Sequence, residues 1–249
     1  MVCSVQILEK PHLKNPILIE GLPGIGFVAN IAALHMIKEL KAKKFAEIIS
    51  SSFQDFAILT ETGSARSPIN ELYFAETGNG RDLIIWYGNT QALTTPGQYE
   101  LCGKVLDIAQ DLGCSFAVSL GGFKKEEVKG TPSLYSAASN EATLNETQSL
   151  GTKMMVGHIF GIAGLVVGLA KLRNMNALAL LVDTAGTYPD ANATKVMLTA
   201  LSKFLGITLD LSSVNEAAEE TKRILESFGL IRNIAEEKKK EEEALRWYV

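Results

Sequence analysis

The residues best placed to do chemistry form a glycine-rich turn, "GLPGIGF", at positions 21–27. The turn follows a short apolar strand predicted at 17–20 and opens a predicted helix, and Gly24, Gly26 and Ala29 fit the pattern G-x-G-x-x-[G/A]. In dinucleotide-binding folds, this arrangement directs backbone N–H groups and a helix N-terminus at a pyrophosphate. One hypothesis is therefore a nucleotide- or nucleoside-binding enzyme that uses this loop.

Two features of the loop favour a different interpretation. A dinucleotide site needs an acidic residue at the end of the next strand, about 20 residues on, and the candidate Glu47 lies inside "FAEIIS", short of the strand's end. Pro23 also removes one backbone N–H from the turn. We favour a glycine turn that lets the helix pack tightly on the sheet.

Other candidate catalytic and metal-binding side chains do not form a constellation. The histidines, His12, His35 and His158, are far apart in sequence and lack zinc-ligand spacing, and no serine lies in a G-x-S-x-G elbow. Asp183 and Asp190 bracket "TAGTY" at a predicted strand end, where α/β ligand sites commonly lie, but a helix cap explains Asp190 equally well. The sequence therefore predicts no catalytic residue, no metal, no cofactor and no enzymatic activity.

Composition argues against several classes of partner. The formal net charge of −4 over 249 residues disfavours nucleic acid as the main ligand, because phosphate binding needs a basic surface. Three cysteines without a CxxC pair favour buried thiols in a reducing cytoplasm. The apolar stretch at 154–170 is marginal in length for a membrane span, so we expect it to form a buried core helix entered through a loop. We expect a cytoplasmic protein that is not bound to membranes.

Alternating elements indicate the fold class. The continuous apolar runs "SFAVSLGG" and "ALALLVDT" are typical of strands buried on both faces, and predicted helices separate them. Residues 44–88 are rich in further strands, whereas 124–152 form a polar region without a predicted element. The sequence predicts an α/β three-layer sandwich with a mixed, mostly parallel central sheet. Gly164 and Gly168 form a small-x-x-x-small pair, for which we favour packing in the core over a contact between subunits.

The composition changes at the C-terminal end of the chain. We divide the chain into an α/β domain at 1–230 and a charged tail at 231–249, "IRNIAEEKKKEEEALRWYV". Several Glu and Lys residues of the tail stand four apart, as in an exposed helix. The tail is polar on all sides until its last three residues, so we expect a solvated helix that ends in an apolar tip.

The last three residues, Trp247, Tyr248 and Val249, have the properties of an anchor. A penultimate tyrosine after an apolar residue arises by chance in about one chain in ninety of this composition. Two aromatic rings offer a large apolar area and a phenolic hydroxyl, and a terminal carboxylate can pair with a lysine. The hydrophobic–tyrosine–any-residue order resembles the motif by which proteasome activators and assembly factors dock between α-subunits of the core particle.

The body of the chain resembles the second type of proteasome assembly chaperone family, in particular its archaeal homologues. The matching stretches include "ILIEGLPGIGFVAN", "VSLGGF", "SLYSAASNEA", "GHIFGIAGLVVGLAKLRNMNALALLVDTAGTYPDANATKVMLTAL" and "GITLD", which cover most of 15–210 in family order. This resemblance implies a fold similar to purine nucleoside phosphorylases and related hydrolases. It also implies a homo-oligomer without established catalytic activity.

The resemblance and the tail together predict an interaction protein. A homo-oligomeric, chaperone-like factor would present several C-terminal anchors to the proteasome α-ring, with Trp247 in an apolar slot, Tyr248 at the pocket wall and the Val249 carboxylate on a lysine. Whether the anchor promotes assembly, opens the gate of a finished core particle or is masked in the resting oligomer stays open. A role of the tail in self-association is a further alternative.

Overall fold

The structure, a computed structural model, describes residues 3–59, 63–128, 130–186 and 189–227. The strands within these residues are β1 (Cys3–Ile7), β2 (Ile17–Gly21), β3 (Lys43–Ser50), β4 (Ile58–Leu59), β5 (Ala65–Arg66), β6 (Asn70–Ala75), β7 (Leu83–Gly88), β8 (Phe116–Lys124), β9 (Leu134–Ala138), β10 (Lys153–Met154) and β11 (Asn176–Thr184). The helices are α1 (Val28–Glu39), α2 (Thr95–Asp111), α3 (Glu141–Glu146), α4 (Ile162–Leu172), α5 (Ala191–Leu205) and α6 (Val214–Ser227).

Nine of the described strands form one mixed sheet in the order β1-β3-β6-β7-β2-β8-β11-β9-β10. The four central strands, β7, β2, β8 and β11, run parallel to one another. Antiparallel pairings flank them on both sides, and β9 and β10 pair in parallel at one edge, so four of the eight neighbouring pairs are parallel. The predicted mixed sheet is confirmed, but with half of its pairings antiparallel it is not mostly parallel.

Helices cover both faces of the sheet, as the predicted three-layer sandwich requires. Helices α1, α5 and α6 pack on one face, over Ile17 and Ile19 of β2. Helices α2 and α4 pack on the opposite face, over Leu18 of the same strand. Because side chains alternate along a strand, the continuous apolar run of β2 supplies both cores.

Capping side chains fix where the helices that flank the strand ends begin. Thr94 precedes α2, and its hydroxyl accepts a hydrogen bond from the backbone N–H of Gly97 at 3.2 Å. Asp190 precedes α5 in the same way, because its Oδ1 accepts from the N–H of Ala193 at 2.9 Å. The cap considered for Asp190 in the sequence is confirmed, and Thr94 caps α2 in the same way.

The polar region 124–152 contains elements that its composition does not indicate. Strand β9 lies antiparallel beside β11, and α3 follows it. Ser136 of β9 is buried, and its hydroxyl lies 3.0 Å from that of Thr147 and 2.8 Å from that of Thr152. Side-chain hydrogen bonds therefore replace the apolar contacts by which a strand is usually recognised.

The apolar stretch at 154–170 is a buried helix only in its second half. Helix α4 begins at Ile162 and buries Ile162, Val166 and Ala170 against the sheet. The first half is extended and exposed, so the prediction of a buried core helix is wrong for 154–160. In the described part of the chain, no helix is long and apolar enough to cross a membrane.

Candidate functional site

The glycine-rich turn connects β2 to α1 through two residues with left-handed backbone. Gly24 is extended, whereas Gly26 has a φ of 64° and Phe27 a φ of 54°. A short 3-10 turn spans Ile25–Phe27, and α1 begins directly after it. Only glycine adopts a positive φ without strain, which explains Gly26 without reference to a ligand.

Two other glycines near the turn are required by close packing. A Cβ atom on Gly21 would overlap the Cβ of Ala33 and approach the carbonyl oxygen of Ala29 to 2.8 Å, both in α1. A Cβ atom on Gly122 of β8 would overlap the carbonyl oxygen of Ile25. These contacts support the interpretation of the loop as a glycine turn that seats α1 on the sheet.

We predict that Gly21→Ala lowers the free energy of unfolding by about 2 kcal/mol, because the added methyl group has to push α1 away from β2. Gly24→Ala is the matched control: Gly24 is extended, and no atom lies within 4 Å of the Cβ built there. Urea denaturation of both variants gives the comparison. Equal stability of the two variants would contradict the packing explanation.

The acidic residue expected of a dinucleotide site is not at the loop. Glu47 lies on β3, and both β6 and β7 separate β3 from β2. Its carboxylate forms an ion pair with Lys44, which also binds Glu71 at 3.1 Å. The fold therefore does not bring the acid of the sequence motif to the glycines.

The two aspartates predicted at the end of a strand both have structural partners. Asp183 is buried at the end of β11, where it accepts a hydrogen bond from the N–H of Ser133 at 2.5 Å and lies 3.3 Å from Lys125 Nζ. Asp190 caps α5 and also accepts from the Thr184 hydroxyl at 2.7 Å. The cap, and not a ligand, explains Asp190.

The histidines and cysteines do not assemble into a reactive centre. His35 is buried with Nε2 2.8 Å from the carbonyl oxygen of Asp210, and His158 is exposed beside Phe160. Burial and, to a smaller extent, the nearby Glu20 raise the pKa of the Cys102 thiol to about 12, so this thiol stays protonated at neutral pH. Among the described residues, no group of three or more His, Cys, Asp or Glu side chains is arranged to hold a metal ion.

A cavity that the sequence does not indicate lies at the carboxyl ends of β2 and β8. Its volume is about 340 Å³. Its walls are mostly apolar and come from the strand ends, the glycine turn and the segment before α4; among them are Leu22, Leu120, Phe123, Ile159, Ala163 and Leu181. From β2 the chain runs through α1 to β3 at one side of the sheet, and from β8 it runs to β9 at the other side, so the cavity lies at a topological switch point.

Glu20, the penultimate residue of β2, lines this cavity as a buried acid. It is 2% exposed, and its Oε1 accepts a hydrogen bond from the N–H of Leu22 at 2.9 Å. Its Oε2 is buried and accepts no hydrogen bond from the described residues. Burial raises the pKa of this carboxyl to about 7, although the N–H of Leu22 and the proximity of the Leu120 N–H and the Ser119 hydroxyl lower it. The Ser119 hydroxyl donates its hydrogen bond to the carbonyl oxygen of Ala163 at 2.9 Å and not to Glu20. A glutamate inside "ILIEG", an otherwise apolar strand, was the available signal in the sequence.

Residues 154–160, which we call the apolar segment, expose the side chains of Met154, Val156 and Phe160 before α4 begins. Their exposed fractions are 66%, 79% and 87%. Gly164 packs against this segment, because a Cβ there would overlap the carbonyl oxygen of Ile159, whereas Gly168 has no atom within 4 Å of its built Cβ. Gly164 therefore packs closely on the segment before α4 and not in the core, and Gly168 is exposed, so the predicted core packing holds for neither. Several large apolar side chains exposed close together are typical of an interaction surface.

The predicted anchor, Trp247, Tyr248 and Val249, lies outside the described residues, as does the whole predicted tail at 231–249. The last described residue, Ser227, ends α6, which packs on α1 and α5. The described part of the chain therefore ends on the α1/α5/α6 face of the sheet.

Comparison with known proteins gives a consistent family. A model described as the PAC2 family matches residues 18–228. The protein MJ1210 of Methanocaldococcus jannaschii, itself described as uncharacterized, is 30% identical over 247 residues, which are 98% of this chain and 92% of that protein.

Two crystal structures from Pyrococcus furiosus have the same fold. PbaB, described as an archaeal proteasome activator, superposes with a TM-score of 0.82 and 36% identity over 92% of this chain and 99% of its own. PbaA, described as an archaeal homolog of proteasome-assembly chaperone, gives a TM-score of 0.72 and 25% identity over 90% and 94% of the two chains. The three-layer fold with its mixed sheet is thus shared with both.

Proposed function

This chain belongs to the PAC2 family, and we propose that it is a non-enzymatic, chaperone-like factor that binds α-subunits of the proteasome core particle in the cytoplasm. The observation that carries the proposal is the similarity to PbaB over nearly the whole of both chains.

Binding is proposed to occur through Trp247, Tyr248 and the carboxylate of Val249. Trp247 fills an apolar slot, Tyr248 donates a hydrogen bond at the pocket wall, and the carboxylate pairs with a lysine of the α-subunit. The division into a body at 1–230 and a helical tail at 231–249 is part of this proposal. Residues 228–249 number 22, so the anchor can lie about 33 Å from α6 if this segment is helical.

The charges of the tail also fit a contact that is confined to the last residues of the chain. Glu and Lys alternate in short blocks between Ala235 and Ala244, so this part has no apolar face of its own with which to bind a groove. Recognition by the tail is then concentrated in its last residues. We expect contact with the α-ring to need few residues of each copy and to gain strength from several copies.

Co-elution of the full-length chain with purified proteasome α-subunits on a size-exclusion column tests the proposed function. We expect a complex that contains both proteins and that is absent when the α-subunits are replaced by β-subunits. If the chain elutes separately from α-subunits and from the assembled core particle alike, the proposal is wrong.

We further propose that the chain acts as a homo-oligomer and that the apolar segment contributes the contact between copies. Phe160 is 87% exposed, and burying such a ring stabilises a complex by about 2 kcal/mol for each copy. Neighbouring Met154 and Val156 extend the same surface, and large apolar surfaces rarely stay open to solvent. A second copy supplies an equivalent apolar surface.

We predict that Phe160→Lys weakens self-association at least about tenfold, because a charge then has to enter an apolar contact. Leu59→Lys is the matched control, since Leu59 is 67% exposed but lies on the separate hairpin of β4 and β5. Light scattering across a dilution series gives the masses. A wild-type monomer, or equal loss of mass in both variants, would contradict the proposed contact.

A further inference from the structure

We propose that the cavity at the ends of β2 and β8 binds a small, largely apolar molecule that offers an N–H donor to Oε2 of Glu20. This inference goes beyond binding to the proteasome and does not depend on it. It differs from the dinucleotide hypothesis, because the contact that defines the ligand is a buried carboxyl and not the glycine amides.

The first step of the argument is the unbalanced hydrogen bonding of Glu20. One carboxyl oxygen accepts from the N–H of Leu22 at 2.9 Å, while the other accepts from no described residue and is shielded from solvent. A buried polar atom without a hydrogen-bond partner destabilises a fold, because its lost hydration is not replaced. An atom of this kind at the wall of a cavity is explained if a ligand supplies the missing hydrogen bond.

The second step is the position of the cavity. In open α/β sheets, ligands bind beyond the carboxyl ends of the strands, where neighbouring strands connect to opposite sides. Strands β2 and β8 are such neighbours, and Glu20 lies one residue before the end of β2. The side chain lies on the α2/α4 side of the sheet, as its effect on Cys102 of α2 also indicates.

The third step is the chemistry of the walls. Leu22, Leu120 and Leu181 offer only apolar surface, and the cationic Lys124 and the imidazole of His158 belong to exposed residues of the lining. A carboxyl with a pKa near neutrality in such surroundings is suited to a nitrogen base, because the ion pair removes the unfavourable burial of a lone charge. A ligand of about 340 Å³ or less fits the space.

Three fragments with the same ring distinguish the donor class: benzamidine carries a cationic N–H donor, benzamide a neutral one, and benzoate none. We expect saturable binding of benzamidine by saturation-transfer NMR at millimolar concentration, weaker binding of benzamide and no binding of benzoate. Binding of benzoate as tight as that of benzamidine, or no saturable binding of benzamidine, would overturn the inference.

Two variants locate the site. In Glu20→Gln the shape is retained and the carboxylate is lost, so we expect the affinity for benzamidine to fall by about tenfold or more. Ala163→Leu fills the cavity from α4 without removing Glu20, and we expect it to block binding. Lys124→Gln, at the exposed rim, serves as the control and should retain binding. Unchanged affinity in the first two variants, with normal thermal unfolding, would show that benzamidine binds elsewhere and would refute the proposed site.

Discussion

Deletion of Trp247, Tyr248 and Val249 is expected to abolish co-elution with proteasome α-subunits, through a loss of affinity of at least about a hundredfold. Aromatic anchors at protein interfaces contribute about 2–4 kcal/mol each, and the deletion removes two rings together with their carboxylate. Because several copies bind at once in the proposed oligomer, the loss from every copy also removes the avidity. Analytical size exclusion at matched concentrations measures the outcome.

Matched changes in the same tail separate the anchor from the rest of the segment. Tyr248→Phe retains the ring and should weaken binding about tenfold through loss of one hydrogen bond, whereas Leu245→Ala removes an apolar side chain outside the anchor and should have little effect. Extra residues appended after Val249 should act like the deletion, because they move the carboxylate. Full co-elution of the deletion variant would assign the contact to the body of the chain.

Replacement of Glu20 by Gln is expected to stabilise the fold, by an amount that grows by about 3 kcal/mol as the pH rises from 4.5 to above 7. The pKa of the Glu20 carboxyl is raised from 4.5 to about 7 by burial, and each unit of the shift corresponds to about 1.4 kcal/mol. The folded state binds the proton more tightly than the unfolded state, so wild-type stability falls as the pH rises through this window. The Gln variant lacks this titration.

Urea denaturation at about pH 4.5 and about pH 8 measures this difference directly. Glu126→Gln, a substitution of an exposed glutamate, is the control and should change stability by less than about 0.5 kcal/mol at both values. A stability difference between wild type and Glu20→Gln that stays constant with pH would mean that Glu20 titrates normally. Such a result leaves the donor-binding inference to the fragment experiment, which has its own outcomes.

Sequence patterns predicted the layers of this fold because the strongest signals coincide with its centre. The strands around "ILIEG", "SFAVSLGG" and "ALALLVDT" are buried on both faces, and side-chain caps at Thr94 and Asp190 act locally. Such features depend on neighbours in sequence. The close packing at Gly21 and Gly122 supports the glycine turn as the seat of α1, in agreement with Pro23 and the position of Glu47 in the sequence.

The features that sequence patterns missed depend on distant neighbours. Strand β9 is held by pairing with β11 and by hydroxyl contacts, neither of which gives an apolar period. The segment 154–160 has the composition of a core, yet the helix begins only at Ile162. The environment of Glu20 is formed by β8 and α4, which line the cavity at the end of β2 but lie far from Glu20 in sequence. The anchor at 247–249 stays a prediction.

The separation of the two helical layers gives the proposed assembly a direction. The apolar segment leads into α4, on one side of the sheet, while α6, which contains the last described residue, belongs to the other side. Copies joined through the first surface leave the second unobstructed. In such an oligomer the mutual contacts lie inside, and each copy turns its α6 face, after which the tail begins, to the outside.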